Sequence, residues 1–307
     1  MKIIEALVTG LTQGAMIALV ALGYTMVYGV LKLINFAHSE VFMMSAYFGL
    51  FVILALLGAG NPTLSSPLFV GVVGTFVAMV GASLLGIAVE RVAYRPLRGR
   101  GRGALLRITP LVTALGMSVL LQNVAQLLFT AKFRPYPQLM TGSVTIPVLG
   151  TLSTSRVVIL VVTVFVMIIL ELIVKRTWFG KAMRALSANE EAARLMGIRT
   201  SRVISMTFAL GSSLAALGAV LFCLDQSQVY PTMGVVIGTR AFVAAVLGGI
   251  GSITGAMLGG LLIGIIGEMV KLTSYSGGAD VIVFLLLIIV LLVRPAGLLG
   301  STRAEKV

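Results

Sequence analysis

Long apolar stretches alternate with short polar or charged ones through the whole chain. Taking about 20 apolar residues per membrane span, the pattern predicts helices near 7–30, 41–58, 68–90, 109–131, 157–174, 203–224 and 281–293. A further apolar run over 238–270 is too long for one simple crossing. It is broken by Gly248-Gly249-Ile250-Gly251, and each glycine costs about 1 kcal/mol relative to alanine in a helix interior. A half-helix, a turn and a full helix fit this run better than one rod. The string resembles a phosphate-binding loop only faintly, and helix breaking explains it better in so apolar a setting. The expected fold is all-α: a polytopic membrane helix bundle with 8–10 transmembrane or re-entrant helices, one transmembrane domain over 1–307, and a cytoplasmic helix within 175–202. The last segment is short and is expected to extend back into Ala279 and Asp280.

Composition supports the membrane reading, since 58% of residues are hydrophobic, 11% are charged and the mean hydropathy is +1.08. A net charge of +13 could suggest a nucleic-acid surface, but 13 of the 23 Lys and Arg residues lie in two stretches, Arg91 to Arg107 and Lys175 to Arg202. That is the positive-inside pattern, so both stretches are placed inside and no nucleic-acid partner is expected. The uncharged link 59–66 and the proline-containing link 132–155 are then outside, as is Asp225, whereas Arg294, Arg303 and Lys306 are inside. The link 132–155 is the longest stretch available to an external partner. At the N-terminus, Thr9, Thr12 and Gln13 interrupt the apolar run, which reads as a retained helix and not a cleaved leader. The 35 glycines point to close helix contact. Gly255 with Gly259, and Gly260 with Gly264, have the spacing for it, and Gly211 to Ala219 offers another small-residue surface.

Three polar features stand out against this background. Asn35, His38 and Glu40 form a knot between the first two segments. It is either a tight turn whose polar groups satisfy one another, or a break at membrane depth lining a transport path. Gln122 and Gln126 share one face of the fourth segment and act as interhelical glue or as path lining. With the glycine break at Gly249 and Gly251, these residues are the candidates for a translocation path. The third feature is the charged stretch 175–202, in which Ala185, Ala188, Ala192, Ala193, Leu195 and Met196 would give one helix a small-residue face for another protein's groove. A purely topogenic loop is the alternative, and the arginine-rich stretch at 91–107 is likewise either topogenic or a docking surface for a partner or anionic membrane lipid.

The chain carries no nucleotide motif, because Gly180-Lys181 lacks the upstream glycine and the hydroxyl of a phosphate-binding loop. One histidine and one cysteine supply neither a metal set nor a protease constellation, and no metal, cofactor or catalytic residue is expected. Ion-coupled carriers place ionisable groups inside their helices. Acids here sit mostly at segment ends, which weakens that reading while leaving His38, Glu40 and Glu268 to support it.

The string Glu191-Ala192-Ala193, three residues, Gly197 resembles the EAA loop of ABC importer permeases. The match is to its first half, since the region around Thr207 to Leu210 departs from the usual Ile-x-Leu-Pro. The opening GLTQGAMIALVALGYTMVYGVLKLINFAHSEVFMMSAYFG resembles LivH-type permeases of branched-chain amino-acid importers, with Ser39 where glycine is common. GKAMRALSANEEAARLMGI and AFVAAVLGGIGSITGAMLGG are similar to the same family. The resemblance implies a half-translocator of a bacterial cytoplasmic membrane that carries leucine, isoleucine and valine. Its implied partners are a second, LivM-like permease or another copy of itself, two cytosolic ATPases and an external binding protein. Glu191, Ala192, Ala193, Arg194 and Gly197 would couple to the ATPase, and ATP would be hydrolysed on those separate subunits. Related permeases serve urea, amides or other amino acids, and a stand-alone secondary carrier is the alternative from another class.

Overall fold

A computed structural model describes residues 2–59, 66–97, 105–140, 142–146, 150–273 and 276–300. The uncharged outer link at 60–65, Arg98, Arg100 and Arg102 of the basic loop, and the basic end at 301–307 lie outside the described residues. Eleven α-helices are present among the described residues: α1 Lys2–Leu31, α2 His38–Gly58, α3 Pro67–Val89, α4 Leu105–Phe129, α5 Thr154–Arg176, α6 Trp178–Ala188, α7 Glu190–Leu195, α8 Thr200–Gln226, α9 Met233–Gly248, α10 Ile253–Lys271 and α11 Ala279–Val293. Seven are long and apolar enough to cross a membrane, and α9 and α11 are shorter apolar helices. α3 runs on through a π-helical turn at Glu90–Tyr94 and a short 3-10 turn at Arg95–Leu97.

The centre of the bundle is α1, which is almost entirely enclosed by α5, α8, α9 and α10. Its closest neighbour is α10, and small residues make that contact. A methyl group on Gly14 would lie 2.8 Å from Leu261 Cα, and one on Gly10 would lie 2.8 Å from Ile265 Cα. The two backbones therefore touch along antiparallel ridges, as small residues allow between membrane helices. On α10 the two small-residue pairs serve different partners. Gly260 and Gly264 face Ala18 and Gly14 of α1, whereas Gly255 and Gly259 face Gly248 and Ala244 of α9. The small-residue surface of α8 is likewise buried, with Gly211, Ala215, Ala216, Gly218 and Ala219 inside.

The long apolar run resolves into α9, a four-residue turn and α10. Gly249 and Gly251 make that turn with φ of 105° and 96°. A side chain would strain these values, which is the reason for glycine here. The tail after α11 folds back onto the turn: Leu298 N–H donates to Leu247 O at 2.9 Å and Leu299 N–H to Gly248 O at 3.0 Å. These bonds satisfy carbonyls that the end of α9 would otherwise leave bare.

At the opposite end, the link after α4 is not featureless. β1 (Arg134–Pro135) pairs with β4 (Gln228–Val229), and β2 (Ser143–Ile146) pairs with β3 (Gly150–Ser153). Arg156 at the start of α5 donates to Thr9 of α1 at 3.0 Å and lies 3.6 Å from Asp225 at the end of α8. The start of α1 is therefore on the side of Asp225, which the charge pattern places outside. With the expected placement of Asp225, α1 would run inward and α2 outward.

Candidate functional site

The knot between α1 and α2 is a folded turn that reaches into the bundle. Lys32, the residue after α1, stands in the left-handed region at φ 55°. Asn35 then organises the reversal, as asparagine side chains do in turns. Its Oδ1 accepts from Ala37 N–H at 3.1 Å and from the Tyr94 hydroxyl at 2.9 Å, which ties the turn to the π-helical end of α3. Ser39 Oγ donates to Phe36 O at 2.9 Å. His38, the first residue of α2, sets its ring edge-on to Tyr24 at 4.9 Å between centroids. It occupies the place a side chain at Gly23 would fill. Gly23 stands about two turns before the end of α1, a depth of roughly 12 Å at the helical rise per residue. The knot is thus a turn whose polar groups pair locally and whose far end lies deep in the bundle.

Glu40 is wholly buried. Its Oε1 lies 3.5 Å from Ser118 Oγ on α4, a long hydrogen bond, and its Oε2 has no hydrogen-bond partner. That second oxygen sits against α9, where a methyl group on Gly234 would come within 2.8 Å. His38 Nε2 is also buried without a partner. A buried acceptor left open is costly in an apolar bundle and marks a place where a donor group can be received. On α4, Ser118 lies one turn from Gln122, which lies one turn from Gln126, so the three share a face. All three are half-buried and continue as one polar stripe from Glu40. Ser118 was missed in the sequence reading, although its spacing of four from Gln122 carried the signal.

Gly249 and Gly251 do not join this group. They lie at the turn closed by the tail, where Gly251 borders a cavity of ≈ 650 Å³ with Tyr28 of α1, Lys32 just after it and Ser187 of α6. Their conformation serves the reversal between α9 and α10, at the end of the bundle that holds the charged stretch.

That stretch forms two helices instead of one continuous small-residue face, because Asn189 interrupts it. Thr177 Oγ1 accepts from Gly180 N–H at 3.3 Å and begins α6, and Asn189 Oδ1 accepts from Ala192 N–H at 2.9 Å and begins α7. Both are N-caps of the preferred residue types. Gly197, at φ 82°, ends α7: its N–H donates to Arg194 O and Ile198 N–H donates to Ala193 O, both at 3.0 Å. A left-handed glycine closing a helix in this way satisfies its last carbonyls. The motif residues therefore have different tasks. Ala193 is buried and seats α7 on the bundle, and Gly197 supplies the left-handed cap. Glu191, Ala192 and Arg194 are exposed, with Arg194 paired to Glu190 at 3.4 Å. Leu195 and Met196 stand 84% exposed at the tip. α6 buries Phe179, Met183 and Leu186 against the bundle, so α7 projects from a fixed base.

The two sites occupy one chain with clear relatives. The family model described as branched-chain amino acid transport system / permease component matches residues 6–292. The high-affinity branched-chain amino acid transport system permease protein BraD of Pseudomonas aeruginosa is 42% identical over 99% of this chain and 98% of its own. LivH of Escherichia coli, of the same description, is 40% identical over 99% and 97%. A ribose import permease, RbsC of Bacillus subtilis, is 32% identical over 43% of each chain. No solved structure matches the chain.

Proposed function

The chain belongs to the permease family of branched-chain amino acid transport systems, and on that premise we propose that it is one half of an ATP-driven importer of leucine, isoleucine and valine. As a permease component it is a multi-pass membrane protein and not itself an ATPase. In this reading it pairs with a second, LivM-like permease in a bacterial cytoplasmic membrane. An external binding protein delivers substrate to the side of the β1–β4 pair, and two cytosolic ATPases engage α6 and α7. Closure of the ATPases moves α7 through its seated base, and the bundle exchanges outward for inward access. Asn35, His38, Glu40, Gln122 and Gln126 border the path, with Ser118 joining Glu40 to the stripe on α4.

The observation that carries this reading is the pair Leu195 and Met196, two large apolar side chains held out from a short helix that is capped at both ends. Apolar groups presented this way on a charged, water-facing loop suit a protein groove. Uptake of leucine into vesicles tests it: transport should require the ATPase subunits, and Leu195→Asp with Met196→Asp should abolish ATPase co-purification while the permease still inserts. Leucine uptake that persists without the ATPases and follows an ion gradient would make the chain a secondary carrier instead.

A further inference from the structure

The arginines gathered between α3 and the start of α8 play no part in the reading above. They border a cavity of ≈ 670 Å³ whose rim carries Arg91 and Arg95 from the end of α3, with Arg199 and Arg202 from the start of α8. Among the described residues none of these four guanidiniums has a hydrogen bond or ion pair. A fifth, Arg194, is shared with Glu190. Glu90, beside Arg91 in sequence, is buried and accepts from Ser205 Oγ at 2.8 Å. The rest of the lining is of another kind, since it includes Ile87, one turn before Arg91 on α3, and Met206, one turn after Arg202 on α8. Leu84, nearly one turn further into the membrane on α3, is 64% exposed and continues the apolar track.

We propose that this pocket holds the phosphate of an anionic phospholipid from the cytoplasmic leaflet, with an acyl chain lying along Ile87, Met206 and Leu84. Like charges that converge on a rim without acids repel one another, and a phosphodiester relieves this with paired N–H donors from the guanidinium forks. Charges that act only on topology need lie near a span end and need not meet in one hollow. A soluble anion would use the rim and leave the apolar wall idle. A docked protein is better served by projecting groups such as Leu195 and Met196. Basic hollows between helices at the cytoplasmic surface are physically suited to acidic headgroups.

The test uses the intact transporter, purified with its partner subunits and stripped of loosely held lipid. Native mass spectrometry then follows retained phosphatidylglycerol and its re-binding against phosphatidylcholine. Arg91→Gln, Arg95→Gln and Arg202→Gln together should weaken re-binding on the order of 100-fold. Lys175→Gln, Arg176→Gln and Arg294→Gln, a charge-matched set on the expected same side and outside α6 and α7, should leave it unchanged. Should the triple variant fail to assemble, single Arg91→Gln and Arg202→Gln replacements should each weaken re-binding roughly fivefold. Equal retention in all variants, or equal loss in the control set, overturns the proposal. Displacement of the lipid by millimolar inorganic phosphate assigns a soluble-anion site in its place. Loss of the ATPase subunits with lipid still bound assigns the arginines to docking.

Discussion

The hydroxyl of Tyr94 donates to the side-chain oxygen of Asn35 at 2.9 Å, joining the π-helical end of α3 to the turn between α1 and α2. Both residues are buried, and the same oxygen also holds Ala37 N–H. Tyr94→Phe removes one of the two bonds and should lower stability by about 1 kcal/mol. Asn35→Ala leaves both the phenol and an N–H without an acceptor and should cost about 2–3 kcal/mol. Thermal unfolding of the purified permease in detergent checks the order, and equal losses would show that Asn35 does not organise the turn.

Contact between α1 and α10 depends on backbone approaching backbone. Gly264→Leu would force the helices apart at Gly14, whereas Gly267→Ala, with nothing within 4 Å of the added methyl, should be tolerated. The first change should abolish accumulation of folded permease. The second should be neutral or gain a few tenths of a kcal/mol from the better helix former. Fluorescence-detected gel filtration of tagged variants separates the two.

At Gly197 the surroundings are open, so space does not explain the glycine, and its φ of 82° does. Gly197→Ala should cost about 1–2 kcal/mol locally by straining the left-handed cap. Gly197→Asn should recover part of the loss, since asparagine tolerates this conformation. ATPase co-purification should fall in the order glycine, asparagine, alanine. Indifference to all three would mean that the cap does not position Leu195 and Met196.

Glu40→Gln keeps the size of the side chain and an oxygen for Ser118 while removing the carboxylate. If the open oxygen receives a donor on the substrate, leucine transport should fall about tenfold or more, the scale of a charged hydrogen bond, with assembly unchanged. Full transport by Glu40→Gln would reduce Glu40 to a packing role.

The membrane helices were legible in the sequence because a span of hydrocarbon demands a long apolar run, and the turn at Gly249 announced itself because glycines break helices. Pairings were harder to read. The spacing of Gly260 and Gly264 showed that something comes close, but nothing local names Gly10 and Gly14 as the other half, since that choice is made by packing. The short strands β1 to β4 escaped because two to four residues carry no readable alternation. In the charged stretch the motif residues were visible, yet the alanines looked like one face until Asn189 was seen to start a second helix. For the knot, sequence named Asn35, His38 and Glu40 but not their depth, which rests on the missing side chain of Gly23.

The apposition of α1 and α10 also sets the order in which the protein can mature. α1 is complete at Leu31 and leaves the ribosome long before α10, but the helix that covers its glycines begins at Ile253. Until then the ridge of Gly10 and Gly14 faces lipid or a substitute neighbour, and its contact is among the most distant in the chain. Insertion and folding are therefore separate events here: a chain cut short before α10 reaches the membrane with the glycine ridge of its central helix uncovered, whatever α5, α8 and α9 already pack against it.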